Sequence, residues 1–271
     1  MIVNFIKLSP GGNTTAIVRS VVPKESRAYV ANLLMSADYV CAEQVGFLDR
    51  PISEQANVRL EMMGGELCIN AIRSVSAFLL KESEENAEVL VESSGASQIL
   101  KCSNNFLENG TIYTSVEWEV TPCIERLDDT TVLVELPGIT HILCKKQTFP
   151  SKQDAAKIFE VLQEKYSSRL RSQPAYGIIP YSSSGESLRI RPIVYVRETE
   201  STVFETGCGS GSIALALSEA REGRTNFRII QPSGSTYEIV ITPNISSSRV
   251  VLGSIVDVLV DGKAYIPLPT I

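Results

Sequence analysis

Phe204-Glu205-Thr206-Gly207-Cys208-Gly209-Ser210-Gly211-Ser212 runs directly into the apolar segment Ile213-Ala214-Leu215-Ala216-Leu217. Glycines alternate with a cysteine and a serine, so the backbone can turn sharply and bring bare N–H groups close to a ligand. A helix that starts here aims its unpaired N–H groups and the positive end of its dipole at whatever lies over Cys208. The same surroundings are expected to lower the thiol's pKa and make it a usable base or nucleophile. Read alone, the stretch is equally a helix N-terminus with a buried cysteine.

A second stretch, Met63-Gly64-Gly65-Glu66-Leu67-Cys68-Ile69-Asn70-Ala71-Ile72-Arg73, repeats the arrangement half a chain earlier. It too places a cysteine after glycines and before an apolar-periodic helix. Two such units, one in each half, predict two similar lobes facing each other across a cleft.

At 271 residues the chain can bury one large core or two smaller ones. Its net charge of −6, with no Lys/Arg-rich run, argues against a nucleic-acid partner. No apolar run reaches the length of a membrane span, and the first residues lack a secretion signal, so no membrane partner and a cytoplasmic location are expected. The six cysteines stand singly, with no C-x-x-C pair, a pattern poor for zinc and for a disulfide framework. A single histidine, His141, leaves little material for a multi-histidine metal site or a Ser/His/Asp site. Acid–base chemistry then falls to Cys, Asp, Glu, Lys or Tyr, and neither a metal nor a cofactor is expected.

Alternation and turn residues predict strands over 2–8, 16–22, 58–62, 89–92, 99–102, 111–120, 131–135 and 141–144 in the first part of the chain. Further strands are expected over 176–180, 189–196, 227–231, 237–242 and 254–259, with helices over 26–36, 70–81 and 151–169. Glu43 and Gln44 stand inside an apolar stretch and must be satisfied or face a cleft. The pattern is α+β, with many antiparallel strands and a helix prominent in each half.

Two thiols projecting into one cleft make a symmetric acid–base pair. Inverting a stereocentre that carries a weak C–H acid needs a base on one face and an acid on the other, and a thiol near its pKa serves both roles. Here the residues resemble the diaminopimelate epimerase-like, pyridoxal-phosphate-independent amino-acid racemases, nearly end to end. Pro10-Gly11-Gly12-Asn13 is similar to that family's first substrate loop and Gln44 to its second. Cys68-Ile69-Asn70-Ala71 resembles its first cysteine motif, and Glu205 to Gly211 its second. Gly138-Ile139-Thr140-His141 resembles its Gly-Asn-Pro-His segment.

The resemblance implies two pseudo-symmetric lobes of mixed or antiparallel sheet, each wrapped around a central helix. Residues 1–125 would carry the first catalytic cysteine and 126–262 the second, with 263–271 returning to the first lobe. It also implies Cys68 and Cys208 as catalytic residues. Asn13, Glu43, Gln44, Ile69, Asn70, His141, Glu205, Gly209 and Ser210 would contact a small amino-acid substrate, and a homodimer stays open.

The departures bear on that substrate. Thr199 and Glu200 replace the Glu-Arg pair whose arginine grips a distal carboxylate, and Ile139 replaces an asparagine. Segments such as Cys41-Ala42-Glu43-Gln44-Val45-Gly46-Phe47 and Gln231-Pro232-Ser233-Gly234 are similar instead to the histidine racemases of staphylopine-type metallophore synthesis. L- and D-histidine are then the expected pair, with Glu43 the expected partner of the imidazole. Diaminopimelate or another amino acid is the alternative within the fold. From other classes come a phenazine-type isomerase, a non-catalytic binding protein, and an S-adenosylmethionine methyltransferase, whose Gly-rich motif should end a Rossmann strand.

Overall fold

The computed structural model describes residues 1–83, 88–220 and 223–267. The first apolar alternation forms β1 (Ile2–Ser9), which turns back on itself as β2 (Thr15–Val18). Gly11, Gly12 and Asn13 all take positive φ in that turn. Gly12 has no alternative, since a Cβ there would lie 2.5 Å from the Thr206 carbonyl oxygen. β2 is shorter than the sequence pattern suggests because α1 (Lys24–Met35) begins directly after Pro23. Then come β3 (Gln44–Asp49), β4 (Val58–Met62), α2 (Ile69–Ser83), β5 (Glu88–Ser93), β6 (Leu100–Phe106) and β7 (Ile112–Val120).

The second part of the chain opens with β8 (Cys123–Arg126), β9 (Thr131–Leu136) and β10 (Ile139–Lys145). The helix expected over 151–169 starts on a Ser151/Asp154 capping box but breaks at Tyr166, giving α3 (Lys152–Lys165) and α4 (Ser167–Leu170). β11 (Ala175–Ser184) follows. The strand expected over 189–196 is also two, β12 (Ser187–Ile190) and β13 (Ile193–Val196), because Pro192 has no N–H to donate. β14 (Ser201–Phe204), α5 (Gly209–Glu219), β15 (Asn226–Ile230), β16 (Thr236–Pro243) and the long β17 (Ser248–Tyr265) complete the order.

The sheet is mixed. Most ladders are antiparallel, while β2–β3, β4–β5, β10–β11 and β12–β15 are parallel. β1 through β7 pair in sequence and β17 joins β7 to β1, closing a barrel. β17 does this along its whole length. Ser248–Val256 lies against β7, and the rest pairs with β1, where Ile2 faces Tyr265. On its other side the first part of β17 pairs with β16, which leads through β15 and β12 to β11, β10, β9 and β8.

α2 packs against β2, β5, β6, β7 and β17, and α5 against β9, β10, β16 and β17. α5 is apolar over Ile213–Leu217, and α2 buries Asn70, Ser74 and Ser76 among its apolar residues. Residues 69–78 of α2 and 209–217 of α5 are all buried. Each fully buried Leu or Ile contributes about 1.5–3 kcal/mol, so the first turns of both helices rest on rigid supports. The charged exception is Arg73. Its guanidinium donates to the carbonyls of Thr114 (3.2 Å), Pro10 (3.4 Å) and Ser254 (3.3 Å), and to the Ser254 hydroxyl. It also stacks 5.1 Å from the Tyr237 ring. One buried cation thus ties α2 to the opening turn and to β17.

Cys102 and Cys144 are buried and pack in the core. Cys41 and Cys123 are exposed and contribute nothing to a core. No helix among the described residues is long and apolar enough to cross a membrane.

Candidate active site

Cys68 and Cys208 occupy equivalent positions, each at the N-cap of its helix. The Ala71 N–H donates to Cys68 Sγ at 3.4 Å and the Gly211 N–H to Cys208 Sγ at 3.3 Å. The two first turns touch. A Cβ on Gly209 would lie 2.9 Å from both the Ile69 Cβ and the Asn70 Oδ1, so only glycine permits this approach. Asn70 Nδ2 crosses the junction to donate to the Gly207 carbonyl at 2.9 Å. The two helix N-termini therefore open on one cleft, which both cysteines line.

Polar groups fix the loops around it. Cys68 Sγ donates to Gln44 Oε1 at 2.9 Å, and Gln44 Nε2 donates to Thr15 Oγ1 at 2.6 Å. The Cys208 N–H donates to Gln231 Oε1 at 2.9 Å, and Gln231 Nε2 donates to Ser212 Oγ at 3.0 Å. Asn13 Nδ2 donates to Glu205 Oε1 at 2.8 Å, leaving Asn13 Oδ1 and Glu205 Oε2 buried without a hydrogen-bond partner. Buried acceptors in that state are costly unless a donor arrives.

Burial pushes the Cys68 thiol up to about 12, with the Glu205 and Glu66 carboxylates adding to it against the Ala71 amide. Cys208 is raised well above the ordinary thiol range, first by burial and then by Glu205. The expectation that helix N-termini lower these pKa values fails, because desolvation of a thiolate in a closed cleft outweighs two amide dipoles. Glu205 is pushed up to about 8, by burial and then by Glu43 and Glu66. The residue as a whole is half-buried, but its Oε2 is sealed from solvent, and it is the oxygen that titrates. Glu66 is raised to about 7 by burial.

The residues singled out from the sequence fall into two sets. Asn13, Glu43, Gln44, Ile69, Asn70, Glu205, Gly209 and Ser210 line the cleft with the two cysteines. His141 does not. Its ring lies fully buried behind α5, with Nε2 2.9 Å from Ser210 Oγ and Nδ1 unpartnered. Burial holds its pKa down to about 3, so the ring is neutral. It reaches Cys208 only through Ser210, whose hydroxyl is 3.9 Å from the sulfur.

Glu43 lines the cleft, yet both its oxygens are occupied. Oε1 accepts from the Thr14 N–H (3.2 Å) and Thr206 Oγ1 (2.6 Å), and Oε2 from the Thr206 N–H (2.8 Å). It is a clasp between the opening turn and the Cys208 loop. Three residues that lie in the motifs read from the sequence, but outside the expected substrate contacts, also shape the site. Thr206 and Gln231 hold the Cys208 loop, and Glu66 places a carboxylate beside Cys68. The Glu66-Leu67-Cys68 proximity is visible in the chain, but not that the side chain turns inward. The lining holds no lysine, arginine or histidine among the described residues.

The Gly-rich stretch does not end a Rossmann strand. It follows β14, which pairs antiparallel with β13, and this overturns the methyltransferase reading.

Residues 2–265 match the family described as histidine racemase CntK N-terminal domain. Among curated proteins the chain is 28% identical to a histidine racemase of Fusobacterium nucleatum subsp. nucleatum, with 98% of each chain covered. It is 26% identical to a histidine racemase of Staphylococcus aureus, again with 98% of each covered. Among solved structures, a hydroxyproline epimerase from Agrobacterium vitis superposes with a TM-score of 0.71 at 10% identity, over 99% of this chain and 94% of that one. A phenazine biosynthesis protein of the PhzF family from Bacillus anthracis gives 0.67 at 13% identity, over 98% and 100%. The structural likenesses establish the fold, and the sequence match establishes the lineage: the chain is an isomerase that belongs to the histidine racemase family.

Proposed function

We propose that this racemase interconverts L- and D-histidine without a cofactor, using Cys68 and Cys208 as an acid–base pair on opposite faces of Cα. The observation that carries the reading is the cleft itself. Two thiols cap two abutting helices, Glu43, Glu66 and Glu205 surround them, and no basic side chain among the described residues lines the cleft to hold a second carboxylate. Diaminopimelate, with its distal carboxylate, has no counterpart there.

The substrate's α-carboxylate is drawn to the free amides at the two helix N-termini. Its α-ammonium supplies the donor that Asn13 Oδ1 and Glu205 Oε2 lack. That cation also offsets the burial that keeps the thiols protonated. Cys208 passes its proton to Glu205, and its thiolate takes the Cα proton. The carbanionic charge spreads onto the carboxylate, where the amides stabilise it. The Cys68 thiol, already a donor toward Gln44, returns a proton to the other face. In the reverse direction the roles exchange. One proton leaves Cα and one arrives, and the proton left on Glu205 passes through solvent to the Cys68 thiolate as product leaves, so the enzyme is restored and nothing is oxidised or reduced.

On this reading the molecule is two pseudo-symmetric lobes, 1–125 and 126–262, each supplying one thiol-bearing helix, with 263–271 returning to the first and the start of β17 shared between β7 and β16. Residues 268–271 of that return lie outside the described residues. Unpaired thiols of this kind belong in a reducing compartment such as the cytoplasm. D-histidine as a building block for an opine-type metallophore is the use that the resemblance gives the product.

Solvent-deuterium incorporation at Cα, measured on L-histidine, D-histidine and diaminopimelate with no cofactor added, tests the assignment. Exchange and interconversion of both histidines, with none for diaminopimelate, is expected. Efficient exchange of diaminopimelate and none of histidine contradicts the substrate.

A further inference from the structure

We propose that Glu66 selects the substrate's side chain, its carboxylate accepting a hydrogen bond from a ring N–H of the imidazole. This rests on the histidine reading above and deepens it.

Three carboxylates reach the cleft, and their hydrogen bonds separate them. Glu43 is closed off by Thr14 and Thr206. Glu205 is engaged by Asn13 and lies against Cys208, where the α-ammonium is needed. Glu66 remains. Its Oε2 accepts from the Gly64 N–H at 2.9 Å, and its own N–H also bonds the carboxylate, but no side chain among the described residues pairs with it. The residue is only 5% exposed and is one of those that line the cleft.

The backbone of Glu66 cannot drift. Its carbonyl accepts from Ser94 Oγ at 3.1 Å, and that oxygen accepts from the Met62 N–H at 2.9 Å. From behind, Gly95 presses on the Glu66–Leu67 peptide so closely that a Cβ would lie 2.3 Å from the Leu67 nitrogen. A carboxylate on so firm a base is built to meet a donor at a set position.

The surroundings describe that donor. Met63, Ile139, Val194 and Val196 also line the cleft, and a Cβ on Gly64 would touch both Val196 Cγ1 (2.4 Å) and Glu66 Oε2 (2.9 Å). An apolar collar with one carboxylate oxygen suits a flat ring that has carbon faces and an N–H edge. An aliphatic ammonium would lose its hydration to this collar with a single acceptor in return. Burial raises Glu66 to about 7, close to the ordinary imidazole value of about 6.5, so one proton suffices for the pair. A buried acceptor also rejects a ring that lacks the donor, because it is then left unpaired.

The experiment compares Cα–H exchange of L-histidine with that of β-(2-thienyl)alanine, which has a five-membered ring of similar size without an N–H. Wild-type enzyme is expected to favour histidine in kcat/KM by roughly a hundred-fold or more. Glu66→Met, which cannot accept the bond, should shrink that ratio by at least about ten-fold, chiefly through the histidine KM, with any effect of removing a charge beside Cys68 shared by both amino acids. Glu66→Gln, which keeps an acceptor and the shape, should fall between. If histidine and thienylalanine decline by the same factor, Glu66 serves a group common to both, such as the α-ammonium, and the assignment is overturned. Should Glu66→Met not fold, equal wild-type exchange of the two amino acids overturns it without a variant. Wild-type enzyme that turns over no histidine overturns the activity reading and Glu66 with it. Histidine turnover with an unmoved ratio overturns Glu66 alone.

Discussion

Replacing Glu205 by Gln should make the ligand-free protein more stable at high pH and nearly inactive at every pH. The carboxyl of Glu205 titrates at about 8 in the fold against an ordinary 4.5. Between those values the folded protein holds a proton that the unfolded chain has released, so stability falls as pH rises through the window. Every pH unit separating the folded and unfolded pKa corresponds to about 1.4 kcal/mol, which sets a ceiling of about 5 kcal/mol for the whole gap. Because the residue is half-buried, about 2 kcal/mol is the fitting expectation. Gln carries no charge at any pH, and its Oε1 still accepts from Asn13. The melting temperature of Glu205→Gln minus that of wild type should be near zero at pH 5 and grow to about 4–8 °C at pH 8. Glu66 titrates in the same range and is present in both proteins, so only its coupling to Glu205 enters the difference. Racemisation should fall by about a hundred- to ten-thousand-fold, since Cys208 loses its proton acceptor. Thermal unfolding at pH 5, 6, 7 and 8, with activity on the same samples, reads both effects. A melting difference that does not change with pH, or a wild type that is the more stable at pH 8, refutes the argument.

Glu43→Gln should act on stability before it acts on catalysis. The amide's single oxygen can keep the bonds that Oε1 accepts from Thr14 and Thr206 Oγ1, but its NH2 then faces the Thr206 N–H, so about 1–3 kcal/mol should be lost in urea unfolding, with the histidine KM moving little. Among the cysteines outside the cleft, Cys102→Ser should destabilise by about 1–3 kcal/mol because its hydroxyl is buried. Cys41→Ser and Cys123→Ser should stay within about 0.5 kcal/mol of wild type in the same denaturation series.

Much of this site is legible in the sequence because it is local. A glycine, a cysteine and an apolar helix in succession specify an N-cap and its free amides wherever the helix ends up, so Cys68 and Cys208 stand out unaided. What they share is not local. That Gly209 touches Ile69 depends on two buried helices meeting end to end, a contact between distant parts of the chain. Glu43 illustrates the limit. A carboxylate in an apolar stretch does need partners, but the partners are Thr14 and Thr206, and no spacing rule reports the second. Glu66 escapes notice for the converse reason. Beside a cysteine it looks like an ordinary acidic helix entry, and only the fold turns it inward. His141 matches a family segment, yet its neighbours Gly177 and Ser210 draw it behind α5.

Among the elements, β17 is predicted by its residue pattern over 254–259 and by the resemblance as a return over 263–271, but not as one continuous strand. Asp257, Asp261 and Lys263 interrupt its apolar pattern where one face is exposed to water, although hydrogen bonds to β1 carry the strand on to Tyr265. The splits at Tyr166 and Pro192 differ in visibility. A proline announces itself, whereas Tyr166 leaves helical geometry between two segments of good helix pattern.

The central claim is that every turnover needs both thiols. Cys208→Ser keeps the shape of the side chain and replaces the thiol with a far weaker acid, and Cys144→Ser, on β10, changes a buried cysteine outside the cleft. The direct measurement is racemisation of L- and D-histidine by Cys68→Ser, Cys208→Ser and Cys144→Ser, normalised to the folded fraction of each. Both cleft variants should lose at least about a hundred-fold in each direction, while Cys144→Ser retains wild-type turnover per folded molecule. Retention by Cys208→Ser of more than about a tenth of the wild-type rate, less than the usual contribution of one such group, would contradict the two-thiol account.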